Sequence, residues 1–412
     1  MKKINFSNYL VIFLLCFLLG STFQSKAQEE KDANSSTKNE GQKEDELPPR
    51  EKTWYEKIEI GGYAQLRYNR LLESNPDLKC LQCDESIGDN GGFNLKRVRV
   101  EFKGYLNDKI YYYLMPEFAE AFNHSALLRE GWVDVGIGKD NTFRARVGLS
   151  RIPVGHDLLV DSRHRIAIDR TDAMNSAQLN ERDLGVFVYY TPSKIKERID
   201  HLVNSGLKGA NDHGMLGIGA YNGQGGNTRT NPVSHLAARA TYPFQTESGQ
   251  YIEASLSGYV GKFDVLVNTS EIPTFDDQRV AASFIYYPQP FGITAEATYG
   301  VGPQFQADGD EFSIQSSELY GGYIQLMYFV PIKKHQLIPY ARYQYYDGGK
   351  KFELDATRHK VNEVEFGAEW QIDKALRVNA GYVISNRTFE NSENPFNQQH
   401  GNLLRLQIQA MF

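Results

Sequence analysis

Basic residues recur at alternate positions of one short stretch, LKRVRVEFKGY, at residues 95–105. Successive side chains of a β-strand point to opposite faces, so Arg97, Arg99 and Lys103 share one face and Val98 belongs to the other. A guanidinium group donates two parallel hydrogen bonds to a phosphate or carboxylate, so arginines in a row suit the binding of oxyanions. This chemistry requires a wet space on the charged side of the strand.

The same alternation puts more basic residues on polar strand faces, and residues 151–181 form a long loop that adds four arginines. The candidate anion-binding residues are Arg67, Arg97, Arg99, Lys103, Arg144, Arg146, Arg151, Arg163, Arg165 and Arg170. A loop of this length in a compact domain usually has a function. The alternative is that these residues pair with acids. On the predicted register, acids crowd the late strands and bases the early ones, which favours a transverse field across a channel.

A two-residue period recurs from residue 58 onward, and helical periodicity is rare. The predicted strands are 58–69, 94–105, 109–119, 127–138, 142–150, 182–191, 213–222, 234–243, 250–261, 277–287, 291–302, 318–329, 336–347, 361–372, 376–386 and 402–412. Many exceed the usual strand length of a soluble domain and match a tilted transmembrane strand. Long and short connections alternate, as in outer-membrane barrels.

An even number of strands with alternating connections predicts a closed barrel, since backbone polar groups in hydrocarbon must all be paired internally. We therefore predict an all-β fold, a transmembrane antiparallel β-barrel of about 16 strands over residues 58–412. Apolar faces would contact lipid and charged faces would line an aqueous channel. The connection 192–212 breaks the alternation, and its amphipathic pattern predicts a small helix, as a periplasmic plug or as the sign of a misplaced strand.

The N-terminal sequence predicts export from the cytoplasm, and the predicted barrel then places the protein in the outer membrane of a Gram-negative bacterium. Residues 1–27 have the charged, apolar and small-residue regions of a signal peptide, and their apolar core is too short to span a bilayer. Residues 28–57 are polar and predict a flexible periplasmic tail. The formal net charge of −6, without a run of basic residues, argues against a nucleic-acid partner.

Other reactive residues give weaker signals. Cys80 and Cys83 in the first long loop are either a local disulfide or two free thiols. His156, Asp157, Asp161 and His164 are better explained as a polar loop than as a metal site. Catalytic motifs such as G-x-S-x-G and H-E-x-x-H do not occur. We predict no enzyme activity, no metal and no cofactor.

Several motifs, taken in order, make the chain resemble the phosphate-selective porin O/P family. They are NLKRVRVEFKGYL, RVGLSRIPVGHD followed by ERDLGVFVYY, GIGAYNGQGGN, LAARATYPF, and LIPYARYQYYDGGKKFE followed by VNEVEFGAEWQ. The resemblance implies a 16-stranded channel, a homotrimer, a long loop folded inward as a constriction, and passive diffusion of anions.

The leading hypothesis is a passive diffusion channel for small anions, with phosphate as a candidate solute. Rings of Arg and Lys are a physical route to anion selectivity. The expected partners are outer-membrane lipid and lipopolysaccharide, small anions and other copies of the chain. The alternatives are a general, weakly selective porin for small polar solutes, and a non-conducting structural or adhesive barrel.

Overall fold

The computed structural model describes residues 53–72, 78, 91–119, 126–177, 181–225, 235–265, 273–308, 311–351 and 356–412. The strands are β1 (Glu59–Leu71), β2 (Gly92–Tyr105), β3 (Ile110–Glu117), β4 (Leu127–Ile137), β5 (Phe143–Arg151), β6 (Arg182–Tyr190), β7 (Leu216–Tyr221), β8 (His235–Gln245), β9 (Tyr251–Asp264), β10 (Thr274–Tyr286), β11 (Phe291–Asp308), β12 (Glu311–Tyr328), β13 (Val330–Ile332), β14 (His335–Gly349), β15 (Arg358–Gln371), β16 (Leu376–Glu390) and β17 (Gln398–Met411). Short β13 continues β12, and both pair with β14. The strands thus fill sixteen positions.

The sheet closes on itself. Each strand pairs antiparallel with its neighbours in the chain, and β1 pairs with both β2 and β17. At the seam, the Gly62 N–H donates to the Phe412 carbonyl oxygen at 2.9 Å. A Cβ on Gly62 would lie 2.6 Å from the Phe412 ring, so this close approach requires glycine. The prediction of a sixteen-stranded antiparallel barrel is confirmed.

Charged side chains face inward and apolar side chains face outward. On β5, Arg146 is 4% exposed and Val147 is 53% exposed; on β8, Arg239 is 5% exposed and Leu236 is 58% exposed. In a water-soluble sandwich this order would be reversed. The apolar outer face is what a transmembrane barrel presents to lipid, and the polar inner face is what lines its lumen.

Short polar turns join the strands on one side of the barrel. The Asn107 side chain accepts hydrogen bonds from the backbone N–H groups of Lys109 and Ile110, at 2.9 and 3.0 Å. Asp140 and Asn141 adopt positive φ values of 57° and 51°, in a region that Asn and Asp tolerate better than most residues. These turns confirm the short connections predicted from the sequence, and by analogy with other barrels they mark the periplasmic side.

One predicted loop is wrong. Residues 303–317 were predicted to connect two strands, but β11 and β12 continue as a long hairpin with only residues 309 and 310 between them. Gln304 pairs with Gln315, and Gln306 with Ser313. These polar residues share one face of the hairpin, and Phe305, Phe312 and Ile314 lie on the other. The two-residue period therefore continues through the segment that was taken for a loop.

Helical segments are few among the residues that the structure describes. They are α1 (Asp172–Asn175), α2 (Ser193–Asn204) and the 3-10 helices Trp54–Lys57 and Lys139–Asn141. Helix α2 confirms the helix predicted within 192–212, and it buries one face formed by Ile195, Ile199 and Leu202. None of the helices in the described segments has the length and hydropathy needed to cross a membrane.

Several sequence expectations cannot be compared with the structure. The predicted signal peptide, most of the predicted tail, and Cys80 and Cys83 lie outside the described residues. The last residues of the predicted tail form the 3-10 helix Trp54–Lys57.

Candidate functional site

The loop after β5 enters the barrel. We call residues 152–181 the inner loop; nearly all of its described residues are buried. The backbone N–H groups of His156 and Asp157 donate to Glu296 of β11, and the Ser162 carbonyl accepts from Gln65 of β1 at 3.3 Å. Contacts with walls on different sides of the ring show that the loop folds across the bore, which confirms the predicted constriction loop.

Arginines of the late strands and of β1 hold the acids of this loop. Arg67 donates to both carboxylate oxygens of Asp169, at 3.0 and 3.1 Å, and Arg405 of β17 pairs with the same carboxylate. Arg387 of β16 binds Asp172 through two nitrogens, at 2.9 and 3.2 Å. Because their guanidinium groups bind carboxylates of the inner loop, we infer that these arginines hold the loop in position.

Two other predicted arginines pair within the early strands. Arg99 donates to Glu117 at 2.5 Å and to the Tyr63 hydroxyl at 2.7 Å. Arg146 donates to both oxygens of Asp134 at 2.7 and 2.9 Å. The Arg146 guanidinium also lies 3.5 Å from the centre of the Trp132 ring, a cation–π contact. Neighbouring carboxylates thus offset both charges.

Two arginines, Arg151 at the end of β5 and Arg163 in the inner loop, connect the loop to the wall. Arg151 bridges Glu130 of β4 and Asp161 of the loop, both at 3.1 Å. Arg163 pairs with Asp161 at 3.3 Å and also with Glu101 of β2. Burial alone would raise the pKa of Asp161, but Arg163 and Arg151 outweigh it and hold that pKa well below its usual range.

The last two loop arginines differ in their partners. Arg170 pairs with Glu181 and donates to the Asp157 carbonyl at 3.2 Å. Arg165 has weaker partners: the Ser162 hydroxyl at 3.4 Å and Asp157 at 4.0 Å. Its Nε is buried without a hydrogen-bond partner.

Arg97 is the predicted residue with the least charge compensation. Its side chain is buried, and its hydrogen bond goes to the neutral amide oxygen of Gln65 at 2.8 Å. Salt bridges to Arg97 are absent from the described part of the chain. Arg67, Arg99 and Arg165 lie near enough to repel its charge. Among the predicted residues, these four guanidiniums lie together, and Arg97 is the member without a carboxylate partner in the described residues.

The predicted separation of bases and acids is wrong. Acids on early strands include Glu101, Glu117, Glu130 and Asp134, and arginines on late strands include Arg279, Arg342, Arg387 and Arg405. Ion pairs between neighbouring strands require both charges in each region, because an unpaired buried charge is costly. Positive and negative side chains are therefore interspersed around the whole lumen.

An open cavity of about 310 Å³ remains beside β2–β5, on the side of the short turns. Its charged lining is nearly balanced, with seven bases and six acids: Lys103, Lys109, Arg144, Arg146, Arg151, Arg163, Lys196, Glu101, Glu130, Asp134, Asp161, Asp200 and Asp212. The cavity brings together half of the predicted candidates. The others, Arg67, Arg97, Arg99, Arg165 and Arg170, do not line it.

Sequence reasoning missed part of the cavity lining. Lys196, Asp200, Asp212 and His213 come from the connection between β6 and β7. Lys196 and Asp200 are four residues apart on α2, so its polar face was the available signal. His213 is buried, and neither ring nitrogen has a hydrogen-bond partner.

The residues considered for a metal have other partners. The Asp157 carboxylate accepts from the Thr171 N–H at 2.8 Å, and the His156 Nδ1 lies 3.8 Å from Glu253. Burial and Arg163 lower the pKa of His164 to about 3, against the opposing charge of Asp161. Within the described segments, groups of three or more His, Cys, Asp or Glu residues suited to a metal ion do not occur.

Solved structures of outer-membrane channels resemble this barrel. The channel DcaP of Acinetobacter baumannii has a TM-score of 0.52 at 15% identity, covering 86% of this chain and 97% of its own. OmpF of Salmonella typhi has a TM-score of 0.53 at 13% identity, covering 86% of this chain and 97% of its own. OmpT of Vibrio cholerae, described in a trimer form, has a TM-score of 0.50 at 12% identity, covering 86% of this chain and 99% of its own.

The sequence gives a more specific result than the fold. A search of curated proteins produced no match. The family model described as phosphate-selective porin O and P matches residues 77–272 and 262–412, which is most of the chain. The chain therefore belongs to the phosphate-selective porin O and P family of outer-membrane porins.

Proposed function

We propose that this porin is a passive diffusion channel with a preference for small anions, and that phosphate is among its solutes. The observation that carries the proposal is Arg97, a buried guanidinium whose hydrogen bond goes to an amide and whose neighbours include other arginines. A permeating anion would supply the negative charge that the described surroundings of Arg97 do not. The planar fork of arginine suits an oxyanion better than it suits a monatomic ion.

A general porin with weak selectivity is the second candidate. The nearly equal numbers of bases and acids around the open cavity favour it, because opposite charges cancel over a few ångströms. The two candidates differ in whether one group of side chains decides the selectivity. Under the first, the group around Arg97 decides it; under the second, no single arginine does.

The assembly is also part of the proposal. We infer that three copies associate in the outer membrane, supported by the trimer form of the structurally similar OmpT. The exposed apolar outer face would contact lipid and lipopolysaccharide acyl chains, and part of it would contact the other copies. If this part of the proposal holds, purified protein in mild detergent should sediment as a trimer in analytical ultracentrifugation.

Reversal potentials in planar bilayers test the anion preference. The wild type should favour chloride over potassium, and Arg97→Gln should reduce that permeability ratio by about threefold, because it removes the least compensated charge. In the wild type, added phosphate should block part of the chloride current by binding at Arg97. Arg97→Lys should keep most of the chloride preference but weaken this block. Lys360→Gln is the control, since this side chain is half-exposed and lies on the outward-facing register of β15.

A cation preference in the wild type would reject the anion proposal. An unchanged ratio in Arg97→Gln would support the weakly selective porin.

A further inference from the structure

The connection between β6 and β7 takes an unexpected course. We call residues 191–215 the periplasmic connection. Tyr190 of β6 and Leu216 of β7 are direct register partners, so a turn of a few residues could join them. The chain instead forms α2 and then reaches β15, where Lys208 pairs with Glu369. β15 lies half-way round the ring from β6, so this segment spans the bore.

The contact at the far wall is buried. The Lys208 and Glu369 side chains are 8% and 1% exposed. Glu369 also accepts hydrogen bonds from Gln371 at 2.6 Å and from Asn379 at 3.3 Å. The carboxylate is thus oriented by its own wall and receives the lysine from the crossing segment.

The periplasmic connection packs against the inner loop. Leu202 and Leu207 form one buried apolar cluster with Ile166 and Ala167 of that loop and with side chains of the wall. Ala210 forms a second cluster with Leu159 and Val160. Two segments that enter from opposite sides therefore close much of the bore between them.

The two segments share the open cavity. Asp161 and Arg163 of the inner loop line it, and so do Lys196, Asp212 and His213 of the periplasmic connection. Asp212 forms a salt bridge with Arg144 of β5 at 2.8 Å and accepts from the Thr191 hydroxyl at 2.9 Å. A solute that passes the inner loop meets this second set of side chains before it leaves the barrel.

We propose that the periplasmic connection is a second size filter, in series with the inner loop, and that Lys208 holds it across the bore. It confines small hydrophilic solutes to an off-centre path along β2–β5. The inference depends on the channel function but not on the anion preference. It assigns the exclusion limit of the channel to a segment outside the inner loop.

The test compares three variants with the wild type in planar bilayers and in liposome-swelling assays. The first replaces residues 192–214 by an Asn-Gly turn, the second is Lys208→Ala, and the control is Lys374→Ala. Lys374 is an exposed lysine in the turn after β15, on the same side of the barrel. Heat-modifiable migration in gels, which reports a folded barrel, is required of each variant.

The shortened variant should conduct about twofold more than the wild type, and it should admit a trisaccharide that the wild type excludes. The conductance of Lys208→Ala should rise by a smaller factor, and that of Lys374→Ala should equal the wild-type value. If the shortened variant does not fold, a rise in the conductance of Lys208→Ala alone still supports the inference.

Wild-type conductance and exclusion in the folded shortened variant would overturn the inference and leave the porin function intact. Equal effects of Lys208→Ala and Lys374→Ala would also overturn it. A wild type that does not conduct at all would instead overturn the channel function itself.

Discussion

The inner loop and the periplasmic connection both enter the bore, but they are held there by different forces. Three acids of the inner loop, Asp161, Asp169 and Asp172, pair with buried arginines. The periplasmic connection reaches the far wall through one buried lysine; elsewhere it contributes to two apolar clusters, and its Asp212 pairs with Arg144 of the near wall. The comparison indicates that the inner loop is a fixed part of the wall and that the periplasmic connection is the more easily displaced segment.

The two segments also differ in how protons affect them. Burial would raise the pKa of Asp169, but Arg67 and Arg405 outweigh burial and hold it well below its usual range. The stabilisation from this carboxylate is complete above an ordinary unfolded pKa of about 3.9 and is lost as the pH falls through the lower folded value. Burial lowers the pKa of Lys208 to about 8. Because this value is lower than that of a lysine in water, the buried position favours the neutral amine, and the attachment strengthens as the pH rises from about 8 toward about 10.4. Added protons therefore weaken both attachments, that of the inner loop only in acid and that of the periplasmic connection at alkaline pH.

The largest expected effect comes from removing an anchor of the inner loop. Asp169→Asn leaves Arg67 and Arg405 buried without their carboxylate, which should lower the free energy of unfolding by about 3–5 kcal/mol. Urea unfolding in detergent, followed by tryptophan fluorescence, measures this change.

The matched control for that variant is an exposed ion pair. Asp276 and Lys262 lie 3.8 Å apart with side chains 72% and 57% exposed. Asp276→Asn should change the free energy of unfolding by about 1 kcal/mol or less. Similar losses in the two variants would contradict the view that the inner loop is fixed by buried charge pairs.

A pH titration of conductance should give the next largest effect. Lys208 faces Glu369 of β15, Arg377 of β16 and His164 of the inner loop. Glu369 raises the lysine pKa and Arg377 lowers it, while burial has the largest effect. Because burial favours the neutral amine of Lys208, its attachment should strengthen as the pH rises from about 8 toward the ordinary lysine pKa of about 10.4. Wild-type conductance should therefore fall by about twofold between pH 7 and pH 10.

Lys208→Ala should remove this pH dependence, because the titrating group is gone. Its conductance should exceed that of the wild type and should stay level from pH 7 to pH 10. An undiminished fall with pH in Lys208→Ala would assign the titration to another group and would weaken the contrast between the two segments.

The smallest expected effect concerns the charge around the open cavity, through which a solute would leave the barrel. Asp212→Asn should leave Arg144 less compensated, because Asp212 is one of its two carboxylate partners. The chloride-to-potassium permeability ratio, measured by reversal potential, should rise by about 1.5-fold. A fall in this ratio would contradict the view that Arg144, once less compensated, attracts permeating anions.

Much of the candidate site could be predicted because it depends on local alternation. The inward positions of Arg97, Arg146 and Glu130 follow from a period of two along their strands. Helix α2 was also visible as an amphipathic pattern. The pairing of each arginine was not visible, since Arg405 meets Asp169 across 236 positions and Lys208 meets Glu369 across 161.

The amino-acid sequence alone determined that this protein is a barrel turned inside out, with apolar side chains toward lipid and charges toward the lumen. That result follows from strand geometry, in which each residue's face depends on its immediate neighbours. Only the tertiary structure decided which charges remain uncompensated and where the bore stays open. Those properties depend on the closure of the ring and on the course of two segments through it, which bring distant parts of the chain into contact.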